Sequence, residues 1–106
     1  MADVATTKIL ENDKIVVWEM TLEPGESTGV HTHTCSYMLY VIEGSSVDTL
    51  DTAGNSLGVV EAEPGHTVYF DLVGDELLLG ERRFPATHNA KNVGTRRYRE
   101  VLVEFK

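Results

Sequence analysis

An all-β fold, closed as a jelly-roll barrel, is what this 106-residue sequence predicts, and three observations carry it. Apolar residues recur at every second position in several short runs, the period of a half-buried strand. Each run stops at Gly, Pro or Asn, where a chain turns readily. No stretch keeps the longer period of a helix. For so short a chain a closed barrel is the natural form, because closure removes open sheet edges.

Residues 1–12 read as an N-terminal tail or an arm exchanged with a second subunit, and residues 13–106 as one domain. Residues 14–22 alternate, with Val16, Trp18, Met20 and Leu22 on one face and Val17 and Glu19 on the other, until Pro24-Gly25. From 30 to 42 a period of two places His31, His33, Cys35, Tyr37, Leu39 and Val41 on a common face. Glu43-Gly44-Ser45 then turns the chain into 47–51. Ala53-Gly54-Asn55 suits a hairpin, since Gly and Asn tolerate positive φ. Strands at 57–62 and, past Pro64-Gly65, at 67–72 come next. Residues 74–84 are ambiguous, because Leu77-Leu78-Leu79 fits either a strand or a loop; 98–105 is the closing strand. Trp18, Tyr69 and Phe84 are expected in the core.

Composition excludes several functions. The formal net charge of −8 argues against a nucleic-acid partner, which needs clustered Lys and Arg. No apolar run reaches the roughly 18 residues of a membrane span. The N-terminus lacks the basic-then-apolar layout of a secretion signal. The single cysteine, Cys35, forms no internal disulfide, so the expected compartment is the cytoplasm. No glycine-rich phosphate loop and no strained serine elbow is present.

The chemistry-bearing residues lie in two places. His31 and His33 sit two residues apart just after the Pro24-Gly25 turn. Side chains so spaced on a strand share one face, about 7 Å apart along it. Both rings then reach one metal ion at roughly 2.0–2.2 Å. His88 lies far downstream, but a barrel brings distant strands face to face, and it is the third candidate ligand. His66 follows the Pro64-Gly65 turn and is expected in solvent, outside the ligand set. Cys35 is a fourth, soft ligand, a thiol that senses oxidation, or a small buried apolar residue. Glu81, Arg82 and Arg83 precede the His88 loop; a guanidinium there suits a carboxylate substrate, or the three are ordinary surface charge. Arg96, Arg97 and Arg99 read as surface charges paired with acids.

Taken together, Gly25, His31, His33, Gly44, His88 and Asn92 resemble the cupin pattern, a Gly, His-x-His, Glu, Gly motif followed by a later His-x-x-x-Asn. The resemblance runs from about residue 17 to the C-terminus and is to a small single-domain cupin. The 99–106 segment and the His88-Asn89 pair are similar to short cupins associated with β-alanine degradation. Two features depart from the pattern: Tyr37 stands in the Glu slot, and no Pro-x-Gly leads into His88. The resemblance implies a cupin jelly roll, a homodimer, and Asn92 shaping the turn after the histidine. It also implies one divalent transition metal per chain (Fe, Mn, Zn or Ni) on His31, His33 and His88, with a small, anionic organic molecule as substrate. A neutral phenol is a poor metal ligand, so Tyr37 either acts at the site as a hydrogen-bond donor or acid/base or packs in the barrel. The expected activity is that of a mononuclear-metal, dioxygenase-like oxidoreductase. The alternatives are a metal-dependent isomerase, lyase or hydrolase, and a barrel that binds a small ligand without turning it over.

Overall fold

The computed structural model describes residues 2–106, and every regular element among them is a strand. In chain order these are β1 (Thr7–Glu11), β2 (Ile15–Leu22), β3 (His31–Thr32), β4 (Ser36–Glu43), β5 (Ser45–Leu50) and β6 (Ser56–Ala62). They continue as β7 (Thr67–Val73), β8 (Glu76–Leu79), β9 (Arg82–Pro85), β10 (Thr87–Asn92) and β11 (Tyr98–Phe105). Pairing is antiparallel throughout and makes two sheets. The larger runs β1-β2-β11-β4-β7-β8-β9, and the smaller β3-β10-β5-β6. The inner faces of the two sheets enclose the core.

The predicted alternation holds on β2, where Val16, Trp18, Met20 and Leu22 are buried and the residues between them are half-exposed. The 53–55 turn forms as expected. Gly54 has φ +89°, and the Asp51 carboxylate accepts hydrogen bonds from the backbone N–H groups of Ala53 (2.9 Å) and Asn55 (2.8 Å). Gly44 is required for space rather than for its φ. A Cβ at that position would collide with the carbonyl oxygen of Ala62, which packs against it from the end of β6.

Residues 7–11 form a strand that pairs with β2 of their own chain. Two expectations are corrected. Tyr69, expected in the core, is 52% exposed, because Val68, Phe70 and Leu72 take the inward parity of β7. The 30–42 run is not one strand: β3 and β4 are separate, and Cys35 is half-buried in the connection between them. The ambiguous 74–84 segment resolves as the β8–β9 hairpin, turned at Gly80 (φ +60°), with Leu77 fully buried.

Arg97 pairs with Glu43 at 2.9 Å and Arg99 with Glu19 at 2.8 Å, as read from the sequence. Such solvent-accessible pairs contribute little to stability, because water and salt screen them. The outer face of the larger sheet keeps Tyr40, Tyr69 and Phe105 in solvent, and the last two rings lie 6.2 Å apart. No helix among the described residues is long and apolar enough to cross a membrane.

A candidate metal centre in the barrel

His31 opens β3, His33 follows it, and His88 lies on β10, which pairs with β3 so that His88 stands directly opposite His31. The backbone N–H of His33 continues the pairing by donating to the carbonyl of Ala86 at 2.9 Å. All three rings are therefore placed by one narrow antiparallel ladder. Their centroids lie 4.8–5.0 Å apart, and one nitrogen from each falls within 4.8 Å of the other two.

The surrounding backbone fixes the tautomers. His31 Nδ1 donates to the carbonyl of Gly29 at 2.9 Å, with Thr28 Oγ1 3.0 Å from the same nitrogen. His88 Nδ1 donates to the carbonyl of Pro85 at 2.8 Å. A carbonyl only accepts, so the proton of each neutral ring sits on Nδ1 and Nε2 is left with a lone pair for a metal. Such bonds to carbonyls are the usual way a protein orients ligating histidines. His33 Nδ1 is buried with no hydrogen-bond partner among the described residues.

Burial holds all three imidazoles below their ordinary range. His33 falls to about 2, mainly by burial and then by the neighbouring His88 and His31, and His88 falls to about 4. At neutral pH the three rings are uncharged, which is the state a metal requires. Three neutral nitrogens with open positions left over suit a divalent transition ion, and the residues present fit that group.

Tyr37 is 4% exposed and its ring stacks on His33, with centroids 4.2 Å apart and planes 16° from parallel. Phe70 stacks on its other side at 4.9 Å. Burial, and then the charges of Glu100 and Glu104, push its phenol well above the usual range, so it stays protonated. Cys35 and Glu81 do not line the cavity, and Arg83 pairs with Glu76 at 3.3 Å. Arg82 does line it, with its guanidinium 4.9 Å over the Phe84 ring, and His66, though exposed as expected, lies at its edge.

The three histidines and Tyr37 open into a cavity of about 350 Å³ between the sheets, walled mostly by apolar residues such as Leu39, Val41, Val60 and Phe70. One wall residue was missed by sequence reasoning. Glu100 on β11 is 3% exposed; its Oε1 accepts from the Tyr98 hydroxyl at 2.6 Å, and its Oε2 is buried without a partner among the described residues. Burial raises its carboxyl from 4.5 to about 7. The folded protein thus keeps a proton that the unfolded chain gives up, and stability falls as pH rises from about 4.5 to about 7, then levels. At roughly 1.4 kcal/mol per pH decade the loss is about 3 kcal/mol. Glu100→Gln should therefore melt higher relative to wild type at pH 8 than at pH 5. An unchanged difference across that range would contradict the buried, proton-holding carboxyl.

No family model matches the chain, and none of the curated proteins matches it in sequence. Solved structures do. A cupin-domain protein of Bordetella pertussis superposes with a TM-score of 0.72 at 21% identity, over 94% of this chain and 90% of that one. The fold is the cupin fold. The polyketide cyclase RemF of Streptomyces resistomycificus (TM-score 0.58, 21% identity) matches over 92% of this chain and 61% of its own. Oxalate decarboxylase of Lactobacillus farciminis (TM-score 0.58, 19% identity) matches over 88% and 24%. The chain thus spans nearly all of the Bordetella cupin but less than two thirds of either enzyme. Cupin barrels at this similarity share architecture, and their chemistry is set by the residues each one carries.

Proposed function

We propose that this chain is a mononuclear metalloenzyme of dioxygenase type, holding one divalent ion on His31, His33 and His88 and acting on a small organic molecule bound in the barrel. The observation that carries the reading is the convergence of three buried, neutral imidazoles, two of them with tautomers fixed by backbone carbonyls, on a cavity between the sheets. A divalent ion held there supplies a Lewis acid and, as iron(II), a source of electrons for chemistry with dioxygen.

The protein's own residues do the rest. Gly29 and Pro85 hold the His31 and His88 rings in place, and the stack of Phe70 on Tyr37 on His33 fixes the third ring. The apolar walls exclude water and accept the carbon skeleton of the substrate. With the charge of three neutral ligands at zero, an anionic oxygen of the substrate is drawn to the metal end. Tyr37, which keeps its proton, is the hydrogen-bond donor beside that end. The exposed aromatics on the outer face of the larger sheet favour a homodimer, and the single cysteine favours the cytoplasm.

A second reading is Lewis-acid chemistry without dioxygen. It is favoured by the presence of a cyclase and a decarboxylase among the solved structures with this fold. Incubating the iron(II)-loaded protein with a panel of small hydroxy, keto and catechol acids, in air and under nitrogen, separates the two. Dioxygenase chemistry predicts substrate loss coupled to oxygen uptake in air and none under nitrogen. Equal turnover under nitrogen would move the assignment to the second reading. No turnover with iron, zinc, manganese or nickel would leave a ligand-binding barrel.

A further inference from the structure

Among the polar groups that line the cavity, two sets lie on opposite sheets. The histidines project from the smaller sheet and its continuation, and Glu100 comes from β11 in the larger one. The walls between them are mostly apolar. Glu100 is held in place: the Tyr98 hydroxyl donates to Oε1, and β2 and β4 flank β11 on both sides, opposing Glu100 with Met20 and Val41. None of these neighbours satisfies Oε2. A buried carboxyl oxygen left without a partner costs stability, and proteins retain such a group where something else completes it. Glu104, the other buried acid of β11, makes the contrast: its Oε1 accepts from Trp18 Nε1 at 2.6 Å, and it does not line the cavity.

We infer that Glu100, positioned by Tyr98, is a ligand-contacting residue, and that the cavity selects a small molecule with a neutral hydroxyl at the end remote from the metal. The inference rests on the metal reading above for the near end of the ligand only. A carboxylate at the far end is repelled by Glu100 whenever that carboxyl is ionised, and an apolar end leaves Oε2 unpaired. The Glu100 carboxyl is pushed up to about 7, so it accepts a hydrogen bond when ionised and donates one when protonated. A hydroxyl answers both states, because it is donor and acceptor at once.

The test uses benzohydroxamic acid, which grips a divalent ion through two oxygens, and its 3-hydroxy and 4-hydroxy forms, titrated calorimetrically into the zinc-loaded protein. At least one hydroxylated form should bind wild type about tenfold more tightly than the parent, the size of a hydrogen bond to an ionisable group. That gain, read as the ratio of the two affinities within one protein, should vanish in Glu100→Leu, with zinc content unchanged. Absence of any gain in wild type, or its survival in Glu100→Leu, would overturn the inference. If the protein holds no zinc and the parent does not bind, the metal reading fails alone. Glu100 is then judged by phenol against toluene in the metal-free barrel. Preference for phenol that is lost in Glu100→Leu supports the inference, and equal binding of the two rejects it.

Discussion

Zinc added to the metal-free protein should raise its melting temperature sharply, and the rise should disappear when His31 and His88 are both replaced by alanine. An ion that binds only the folded chain stabilises it by about 2.7 kcal/mol when present at a hundredfold excess over its dissociation constant. For a domain of this size each kcal/mol moves the midpoint by about 4–8 °C, so the shift should exceed about 10 °C. His33 alone cannot replace the site, because the tautomers fixed by Gly29 and Pro85 belong to the two rings removed. His66→Ala serves as control: this exposed histidine lies outside the converging triad and should leave the shift intact. Scanning calorimetry with and without zinc reads all three proteins. An equal shift in the double variant would mean that the ion binds elsewhere.

Replacing Asn92 by alanine should cost about 3 kcal/mol or more, a large part of the stability of a chain this size. Asn92 is completely buried and uses every hydrogen-bonding group it has. Its Nδ2 donates to the carbonyls of Leu22 (2.9 Å) and Arg96 (2.7 Å), and its Oδ1 accepts from Ser45 Oγ (2.8 Å) and the Gly94 N–H (3.0 Å). One side chain thereby ties the end of β2, the start of β5 and the turn from β10 to β11. Alanine leaves several of those partners buried and unpaired, and the cost of unpaired groups exceeds the net worth of the bonds themselves. Urea unfolding should show a lower midpoint with an unchanged slope. A loss under about 1 kcal/mol would mean that water replaces the side chain and that the turn stands without it.

The sequence made the histidine cluster legible because its signal is local in one segment and chemical in the other. His31 and His33 follow a Pro-Gly turn, His88 and Asn92 have their own fixed spacing, and imidazoles are scarce in this chain. The fold class was legible from strands such as β2, which bury one face only. What escaped did so for physical reasons. All five residues of β1 are exposed, so no burial pattern marks the strand, and its formation is decided by backbone pairing with β2. The Leu77-Leu78-Leu79 run lacks alternation, and only its pairing with β7 and β9 shows it to be a strand. Tyr69 followed its hydropathy into the expected core, whereas the parity of its neighbours turned it outward. Glu100 was hidden because Val101, Val103 and Phe105 occupy the opposite parity of β11 and hydropathy points that face inward. In the barrel it is Tyr98, Glu100, Leu102 and Glu104 that are buried. The pairing of Tyr98 with Leu102 at a spacing of four was the available clue.

The central claim is that the three histidines hold a metal, and elemental analysis of protein purified without a histidine tag tests it most directly. About one divalent transition ion per chain in wild type, with none in the His31→Ala, His88→Ala variant, is the predicted result. A wild-type chain that carries no metal even after reconstitution with iron, manganese, zinc or nickel would contradict it.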